Sequence, residues 1–463
     1  MKLLDHHLSA QTVFLVVWDV VTILGASYAG SSPAVFGLPP LWLGMDPILP
    51  KAVALLTVSL GTLYLVDLYQ LNAHLGKKEC ISRVLVAYGG IALLYGALGF
   101  LFPSLRLSRT AYLLALLLSL SAAVAGRLLA LALGSAAAIQ ERVLFLGATP
   151  LAERVIEAVK RVQGYACEIL GYVDDRAPHE IHITNGFRVL GTTKDLQRVV
   201  SNVRAGTIVV ALSQRRGNFP LSEILACKLA GTRVQDWPDF YERATGKVAV
   251  EQLRPSWLVF SDGFHRTRMT RVVKRTCDIA LSLAFLLGGA PVYALIAILI
   301  RLDSRGPVFL RQERVGERGR TFRVLKFRTM AADAEEQTGP VWASVNDPRI
   351  TRVGRFLRES RLDEFPQVIN ILKGEMSFVG PRPERPHFVA QLQEKIPFYS
   401  QRHTVKPGIT GWAQVKYNYG ASIEDAREKL QYDLYYIKNM SMFLDLVILL
   451  YSVQVVLFSK GSR

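Results

Sequence analysis

The chain has four cysteines, Cys80, Cys167, Cys227 and Cys277, and no two of them form a Cys-x-x-Cys pair. That scatter supports neither a zinc site nor a disulfide framework, so all four read as reduced thiols. The eight histidines show no metal-ligand spacing, and His6, His7 and His387 read as surface or packing residues. A complete dinucleotide-binding glycine fingerprint is also missing: Gly147-Ala148-Thr149-Pro150-Leu151-Ala152 keeps the first glycine and lacks the second and third. No Tyr-x-x-x-Lys pair follows it, which weighs against a soluble NAD-dependent nucleotide-sugar dehydratase or epimerase. Charge is scarce in four stretches, near Val13–Ala29, Ala52–Tyr69, Val84–Phe102 and Ala111–Leu133. Each is long enough to cross a hydrocarbon core of roughly 30 Å. They lack the polar stripe of soluble helices, which excludes a buried soluble bundle. The first stretch holds Asp19 and no small-residue cleavage site, so it does not read as a signal peptide.

What is present is basic and apolar together. Half of the 463 residues are hydrophobic, and the net charge is +17. Mean hydropathy is +0.24. About +12 of the charge falls after Phe264. Basic residues there alternate with apolar runs and form no continuous tail. Membrane lipids and phosphates therefore fit better as partners than nucleic acid. Lys77, Lys78 and Arg83 between the second and third stretches put that loop, and both ends of the four-span unit, in the cytoplasm. Arg106 and Arg109 in the third loop argue weakly against this orientation. Arg127, near the end of the fourth stretch, is expected to snorkel to the cytoplasmic interface.

A strand–helix alternation follows over residues 141–264. Arg142–Gly147, Cys167–Val173, Gly206–Leu212 and Gly231–Trp237 read as strands, with helices at Leu151–Val162 and Leu221–Leu229. This pattern implies a mostly parallel, Rossmann-like sheet. Asp174 and Asp175 end the second strand, where a ribose-binding acid would lie. With the fingerprint degenerate, a structural or regulatory sheet is favoured over a nucleotide site.

The last region, 266–463, opens on Arg271, Lys274, Arg275 and Asp278, followed by the apolar run Ile279–Ile300. Pro291 interrupts that run and removes a helix hydrogen bond. Arg301 and Arg305 make the far flank positive as well. A fifth span would put one basic flank outside, and the α/β and final regions on opposite sides. A re-entrant hairpin over about 275–302 avoids both costs. Met442–Phe458, carrying Asp445, is expected to lie in the interface or pack on this domain without spanning.

Five blocks then appear in order. They are Gly306–Gly316 (GPVFLRQERVG), Lys326–Met330 (KFRTM), Ser360–Gln367 (SRLDEFPQ), Met376–Pro383 (MSFVGPRP) and Pro407–Val415 (PGITGWAQV). Together they resemble the bacterial sugar transferases, the monotopic polyprenyl-phosphate phosphoglycosyl transferases. The resemblance covers nearly all of Lys274–Phe458. The four spans and the α/β region resemble the long members that start exopolysaccharide or O-antigen repeat units. Pro255–Phe264 (PSWLVFSDGF) looks like the exosortase-associated subgroup. The fold expected is a membrane protein in three parts: a four-helix transmembrane bundle (1–135), a Rossmann-like α/β domain (141–264), and an α/β-associated catalytic domain with a re-entrant membrane helix (266–463).

The resemblance implies a two-step reaction. Asp363 attacks the sugar-bearing phosphate of a UDP-sugar, UMP leaves, and undecaprenyl phosphate then takes the phosphosugar. Glu364, with Asp363, would hold Mg²⁺. A carboxylate nucleophile must stay ionised, and Arg358 and Arg361 lie close in sequence to favour that. A hard, oxygen-liganded cation suits a diphosphate. Lys326, Arg328, Arg358, Arg361, Pro381, Arg382, Lys406 and Gln414 are the expected substrate-binding residues. Pro381-Arg382-Pro383 presents its arginine between two residues of fixed φ. The alternative for each cation is a solvated charge or a lipid contact. Many relatives carry arginine where Lys406 stands, and serine where Ala290 precedes the bend proline. Gly408 and Gly411 suit a tight loop against a ligand, and Trp412 reads as core rather than as a uracil platform. The bundle and the α/β domain both offer surfaces for a homodimer. A hexose such as glucose or galactose is the expected sugar, ahead of an N-acetylhexosamine. The rival reading is a non-catalytic membrane scaffold, which leaves the acidic pair and the arginines unexplained.

Overall fold

The computed structural model describes residues 10–31, 48–66, 68–69, 77–136, 141–162, 167–176, 186–212, 219–250, 263–264, 267–331, 349–417, 420 and 422–457. Two compact units divide at Thr245/Gly246. The first begins with helices α1 (Ala10–Ser31), α2 (Ile48–Leu65), α3 (Lys77–Leu101) and α4 (Arg109–Ala136). They fit a membrane bundle. α1, α3 and α4 are each long and apolar enough to cross a bilayer, whereas the apolar part of α2, Leu49–Tyr64, is shorter. Leu15, Ile23, Leu55, Ile91 and Ala123 fill the bundle interior, and Val17, Val21, Leu93 and Leu117 face outward.

Arg127 does not snorkel. It is fully buried, and its two Nη atoms donate to the two carboxylate oxygens of Asp19 on α1, each at 2.8 Å. A facing carboxylate inside the bundle gives the guanidinium a bidentate partner without a reach to the interface. Trp18 donates to the Ala122 carbonyl at 2.8 Å. Its indole lies where a Cβ on Gly126 would sit, so glycine is needed there for α1 and α4 to close.

A parallel five-stranded sheet completes this unit, in the order β3-β2-β1-β4-β5. The strands are β1 (Glu141–Leu146), β2 (Cys167–Val173), β3 (Val189–Gly191), β4 (Thr207–Val210) and β5 (Arg233–Asp236). The helices are α5 (Pro150–Lys160), α6 (Leu196–Asn202), α7 (Leu221–Leu229) and α8 (Trp237–Thr245). Short β3 and α6 carry too few periodic residues to be read from sequence, and α8 is not one of the expected helices. Asp174, at the strand end where a ribose-binding acid would lie in a nucleotide site, accepts from Ala148 N at 2.7 Å and is gripped by Arg176. Asp175 takes both the N–H and the hydroxyl of Thr193. Both acids serve the loops of the sheet itself.

The second unit starts earlier than the expected boundary at 264. Val248 and Val250 are buried in its core, and Val248 N donates to the Gln431 carbonyl. Pro255–Asp262 lie outside the described residues. Helix α9 (Arg268–Asp303) holds Pro291 in its interior. The hairpin β6 (Phe309–Val315) and β7 (Thr321–Phe327) follows, then α10 (Arg352–Glu359), a 3₁₀ turn (Leu362–Gln367) and α11 (Val368–Lys373). Next come β8 (Ser377–Val379), α12 (Pro386–Lys395), a 3₁₀ turn (Tyr399–Thr404), β9 (Gly408–Thr410), α13 (Trp412–Lys416), α14 (Ile423–Lys438) and α15 (Met442–Leu457).

Both ends of α9 bind this one unit. Near its start, Lys274 donates to Asp445 at 2.6 Å, and Arg275 reaches the Ile371 and Leu372 carbonyls that end α11. Asp278 is buried and accepts from Ser377 Oγ and Phe378 N. At its far end Asp303 accepts from Val353 N, and Arg328 grips the Ser304 and Arg305 carbonyls. Between these anchors Leu283, Leu287, Leu295, Ile298 and Leu302 are exposed. Beside Pro291, Tyr293 donates its hydroxyl to the Phe285 carbonyl at 2.9 Å, and Gly289 leaves room for its ring. A tyrosine thus makes a hydroxyl-to-backbone bond of the kind Ala290 does not supply. Leu444 and Ile448 bury α15 in the core of the unit, with Asp445 paired to Lys274.

Candidate active site

The 3₁₀ turn Leu362–Gln367 gathers the chemistry. Asp363 and Glu364 are buried there at 9% and 6% exposure, an unusual place for two adjacent carboxylates without partners. Arg361 enters the turn with φ of 59°, a left-handed conformation rare for a residue with a Cβ. Asn370 on α11 ties the turn's following helix to β7. Its Oδ1 accepts from Leu325 N at 3.0 Å and its Nδ2 donates to the Arg323 carbonyl at 2.8 Å. This fixes the β7 strand end that carries Lys326.

Glu364 is held by two cations. Lys326 Nζ and Arg382 Nη2 each lie 2.8 Å from its Oε1. Burial pushes the Glu364 carboxyl up, but the charges of Arg382 and Lys326 overcome this and hold it far below the usual range. Asp363 shifts the other way. Burial and the Glu364 charge raise it, and Lys326, Arg382 and Arg358 only partly offset them. Burial lowers Lys326 despite its carboxylate neighbours. The result is one firmly ionised carboxylate beside one whose charge is costly, a division of labour suited to catalysis.

Arg382 is presented by close backbone packing. A Cβ on Gly380 would lie 2.4 Å from the Lys406 carbonyl oxygen, one on Gly408 2.2 Å from Gly380 N, and one on Gly411 2.3 Å from the Gly380 oxygen. The β8 and β9 ends therefore touch only because all three are glycine. Gly408 and Gly411, expected against a ligand, instead pack on Gly380. Pro381 accepts from Gly408 N at 3.0 Å. Beneath the loop, buried Arg402 donates to the Arg382 carbonyl at 3.0 Å and to Tyr399 Oη at 2.6 Å, and pairs with Asp433 at 2.8 Å. Arg402 carries no motif, so sequence alone gave no signal for it.

The remaining expected residues separate. Arg358 donates Nε to Thr329 Oγ1 at 2.9 Å and remains close enough to lower Asp363. Arg361 exerts a similar pull on Glu364. Arg328 is buried and spends both Nη atoms on the carbonyls that follow α9, so it anchors the end of that helix. Lys406 lies beside Arg275: a Cβ on Gly374 would meet its amine at 3.5 Å and the guanidinium at 3.6 Å. Gln414 donates to the Ile409 carbonyl. Trp412 is core, stacked on Tyr435 at 5.9 Å and donating to the Gly246 carbonyl.

Among the described residues, Asp363 and Glu364 are the adjacent carboxylates that this turn would offer a magnesium ion. Among the described residues no cluster of three or more His, Cys, Asp or Glu side chains exists. Two carboxylates fit the ion when a substrate diphosphate and water complete its shell.

Residues 269–459 match the family model described as bacterial sugar transferase. A UDP-glucose:undecaprenyl-phosphate glucose-1-phosphate transferase of Xanthomonas campestris pv. campestris is 30% identical over 487 residues, covering 100% of this chain and 96% of that protein. A UDP-N-acetylgalactosamine-undecaprenyl-phosphate N-acetylgalactosaminephosphotransferase of Aeromonas hydrophila is 41% identical over 237 residues. That match covers 51% of this chain and about half, 55%, of the relative. The UDP-glucose:undecaprenyl-phosphate glucose-1-phosphate transferase of Escherichia coli K12 is 43% identical over 187 residues, 40% of each protein.

Proposed function

The chain belongs to the bacterial sugar transferase family and is a transferase, and we propose that it moves a sugar 1-phosphate from a UDP-sugar to undecaprenyl phosphate at a membrane surface. The observation that carries this reading is the buried Asp363-Glu364 pair with Lys326 and Arg382 both at 2.8 Å from Glu364. Asp363 Oδ forms a bond to the sugar-bearing phosphorus, and the bond to the bridging oxygen of UMP breaks. A phosphate oxygen of undecaprenyl phosphate then attacks the same phosphorus. Asp363 is released as a carboxylate, and undecaprenyl-diphosphate sugar departs.

Glu364 serves as the fixed negative charge that keeps Lys326 and Arg382 aimed at the diphosphate. Those cations, with Arg358, stabilise charge on the phosphate oxygens and favour the charged form of Asp363 against its burial and the Glu364 charge. Magnesium, held by the two carboxylates and the diphosphate, would neutralise charge on the leaving group. The sugar is a hexose or N-acetylhexosamine, as in the names of the relatives.

We read α9 as re-entrant and the catalytic unit as lying on the cytoplasmic face of the inner membrane. A straight crossing of roughly 30 Å of hydrocarbon would carry Asp303 far from Lys274. Instead both ends are bonded to one folded unit. The Rossmann-like reading of the parallel sheet rests on its strand order, and its acids favour a structural role.

Membranes carrying the protein, given radiolabelled UDP-sugars one at a time, are expected to release UMP with one sugar preferred. Unchanged release from the Asp363→Asn protein would reject the catalytic assignment.

A further inference from the structure

The cations around Asp363 are not equally engaged. Lys326 and Arg382 both donate to Glu364 Oε1 at 2.8 Å. Arg358 pulls on Asp363 by its charge, yet among the described residues it forms no ion pair with either carboxylate. Its side chain makes one hydrogen bond there, from Nε to Thr329 Oγ1 at 2.9 Å. That leaves both Nη groups unspent, a planar fork that matches two oxygens of one phosphoryl group.

Thr329 is suited to hold this fork. It lies two residues beyond β7 and is 6% exposed. A β-branched side chain has few rotamers, so its hydroxyl keeps one direction. The backbone of Thr329, not its side chain, docks α10. Thr351 N donates to the Thr329 carbonyl at 3.1 Å, and a Cβ on Gly354 would lie 2.0 Å from that oxygen. Val353 and Leu357 pack the same helix against Phe327, Ile296 and Ile300. α10 is therefore held in place without the hydroxyl. What the hydroxyl adds is aim: it grips the guanidinium by its inner nitrogen and so fixes the plane of the outer two.

We propose that Thr329 is a positioning residue: its hydroxyl orients Arg358 so that both Nη groups meet oxygens of the transferred phosphoryl group as Asp363 attacks. The proposal rests on the Asp363 reaction above and adds what aims one of its cations. Charge spreads over the equatorial phosphoryl oxygens during attack, so a fork aimed in advance acts on rate more than on donor binding.

The test uses the full chain in nanodiscs and a UDP-sugar that the unaltered protein cleaves. The UMP burst without acceptor is followed over a range of donor concentrations, giving a maximal rate and a half-saturating concentration. Thr329→Val keeps the shape and removes the hydroxyl. It is expected to lower the maximal rate roughly 10- to 100-fold, with the half-saturating concentration moved by less than about 3-fold. Thr329→Ser keeps the hydroxyl and is expected to stay within about 3-fold of the unaltered rate. In an Arg358→Lys background, where there is no Nε to hold, Thr329→Val is expected to cost nothing further. A general loosening of the fold would cost rate in both backgrounds. An unchanged rate in Thr329→Val would overturn the proposal, as would an equal loss in Thr329→Ser, a loss confined to the half-saturating concentration, or a full further loss on top of Arg358→Lys. A UMP burst persisting in Asp363→Asn would instead sink the underlying reaction, whatever the Thr329 variants do.

Discussion

At the scale of single residues, the acidic pair was legible because its block sits among four others in order, and no lone Asp-Glu would have carried the reading. The roles of its neighbours were only partly legible. Arg382 was readable from its two prolines, whereas Arg328 reads identically in sequence and turns out to hold a helix end. Contacts across many residues decide this, and sequence spacing does not encode them. Asp363→Asn is expected to abolish the UMP burst, with a loss on the order of 10⁴- to 10⁶-fold, as for other covalent nucleophiles. A second residue makes a pH prediction. Burial, aided by Arg402, lowers His403 from about 6.5 to about 4. Between those values the unfolded chain carries the proton and the folded one does not, so stability falls as pH drops from 6.5 toward 4. The expected contribution is up to about 3 kcal/mol, removed in His403→Gln. Thermal unfolding at pH 7 and pH 4.5 measures it. A wild-type pH dependence retained by His403→Gln would refute it.

Elements were most legible where a period was long. α7 falls on the expected Leu221–Leu229, and β2 on Cys167–Val173. Parallel contact between three-residue strands leaves no such trace, so the β8–β9 junction was invisible although Gly380, Gly408 and Gly411 stand in the motifs. Their meaning is mutual approach, and it yields a prediction. Gly380→Ala would force the backbone carbonyl of Lys406 to move, shifting the loop that carries Arg382. About 10²-fold loss of transferase activity is expected, since a displacement near 1 Å at a phosphate ligand costs that much. A folded Gly380→Ala protein with full activity would show that the loop position does not matter. In the bundle, Arg127→Met should destabilise by roughly 3–5 kcal/mol by stranding Asp19, and adding Asp19→Leu should recover most of it. Melting in detergent distinguishes the two. If the double variant is as unstable as the single one, the pair contributes by attraction and not by mutual neutralisation.

At the scale of the whole molecule, the charge pattern and the contacts of α9 point to one topology by independent routes. The basic flanks at Arg271–Arg275 and Arg301–Arg305 favour a single side by lipid electrostatics. The bonds of Lys274, Asp278 and Asp303 favour it by geometry, because a folded unit cannot grip both ends of a helix that crosses the bilayer between them. On the re-entrant reading proposed above, Pro291 is the position that would let α9 bend, since it removes a backbone hydrogen bond midway along the helix. Reporters fused after Glu141 and after Arg305 should therefore both register cytoplasm. Pro291→Ala restores the missing donor and favours a straight helix, so a fraction of the Arg305 fusion should move to the periplasmic side while the Glu141 fusion stays. The anchoring bonds oppose that shift, so adding Asp303→Ala to Pro291→Ala should enlarge the displaced fraction. A periplasmic signal from the unaltered chain at Arg305 alone would replace the hairpin with a fifth crossing and detach the acidic pair from the cytosolic nucleotide sugar.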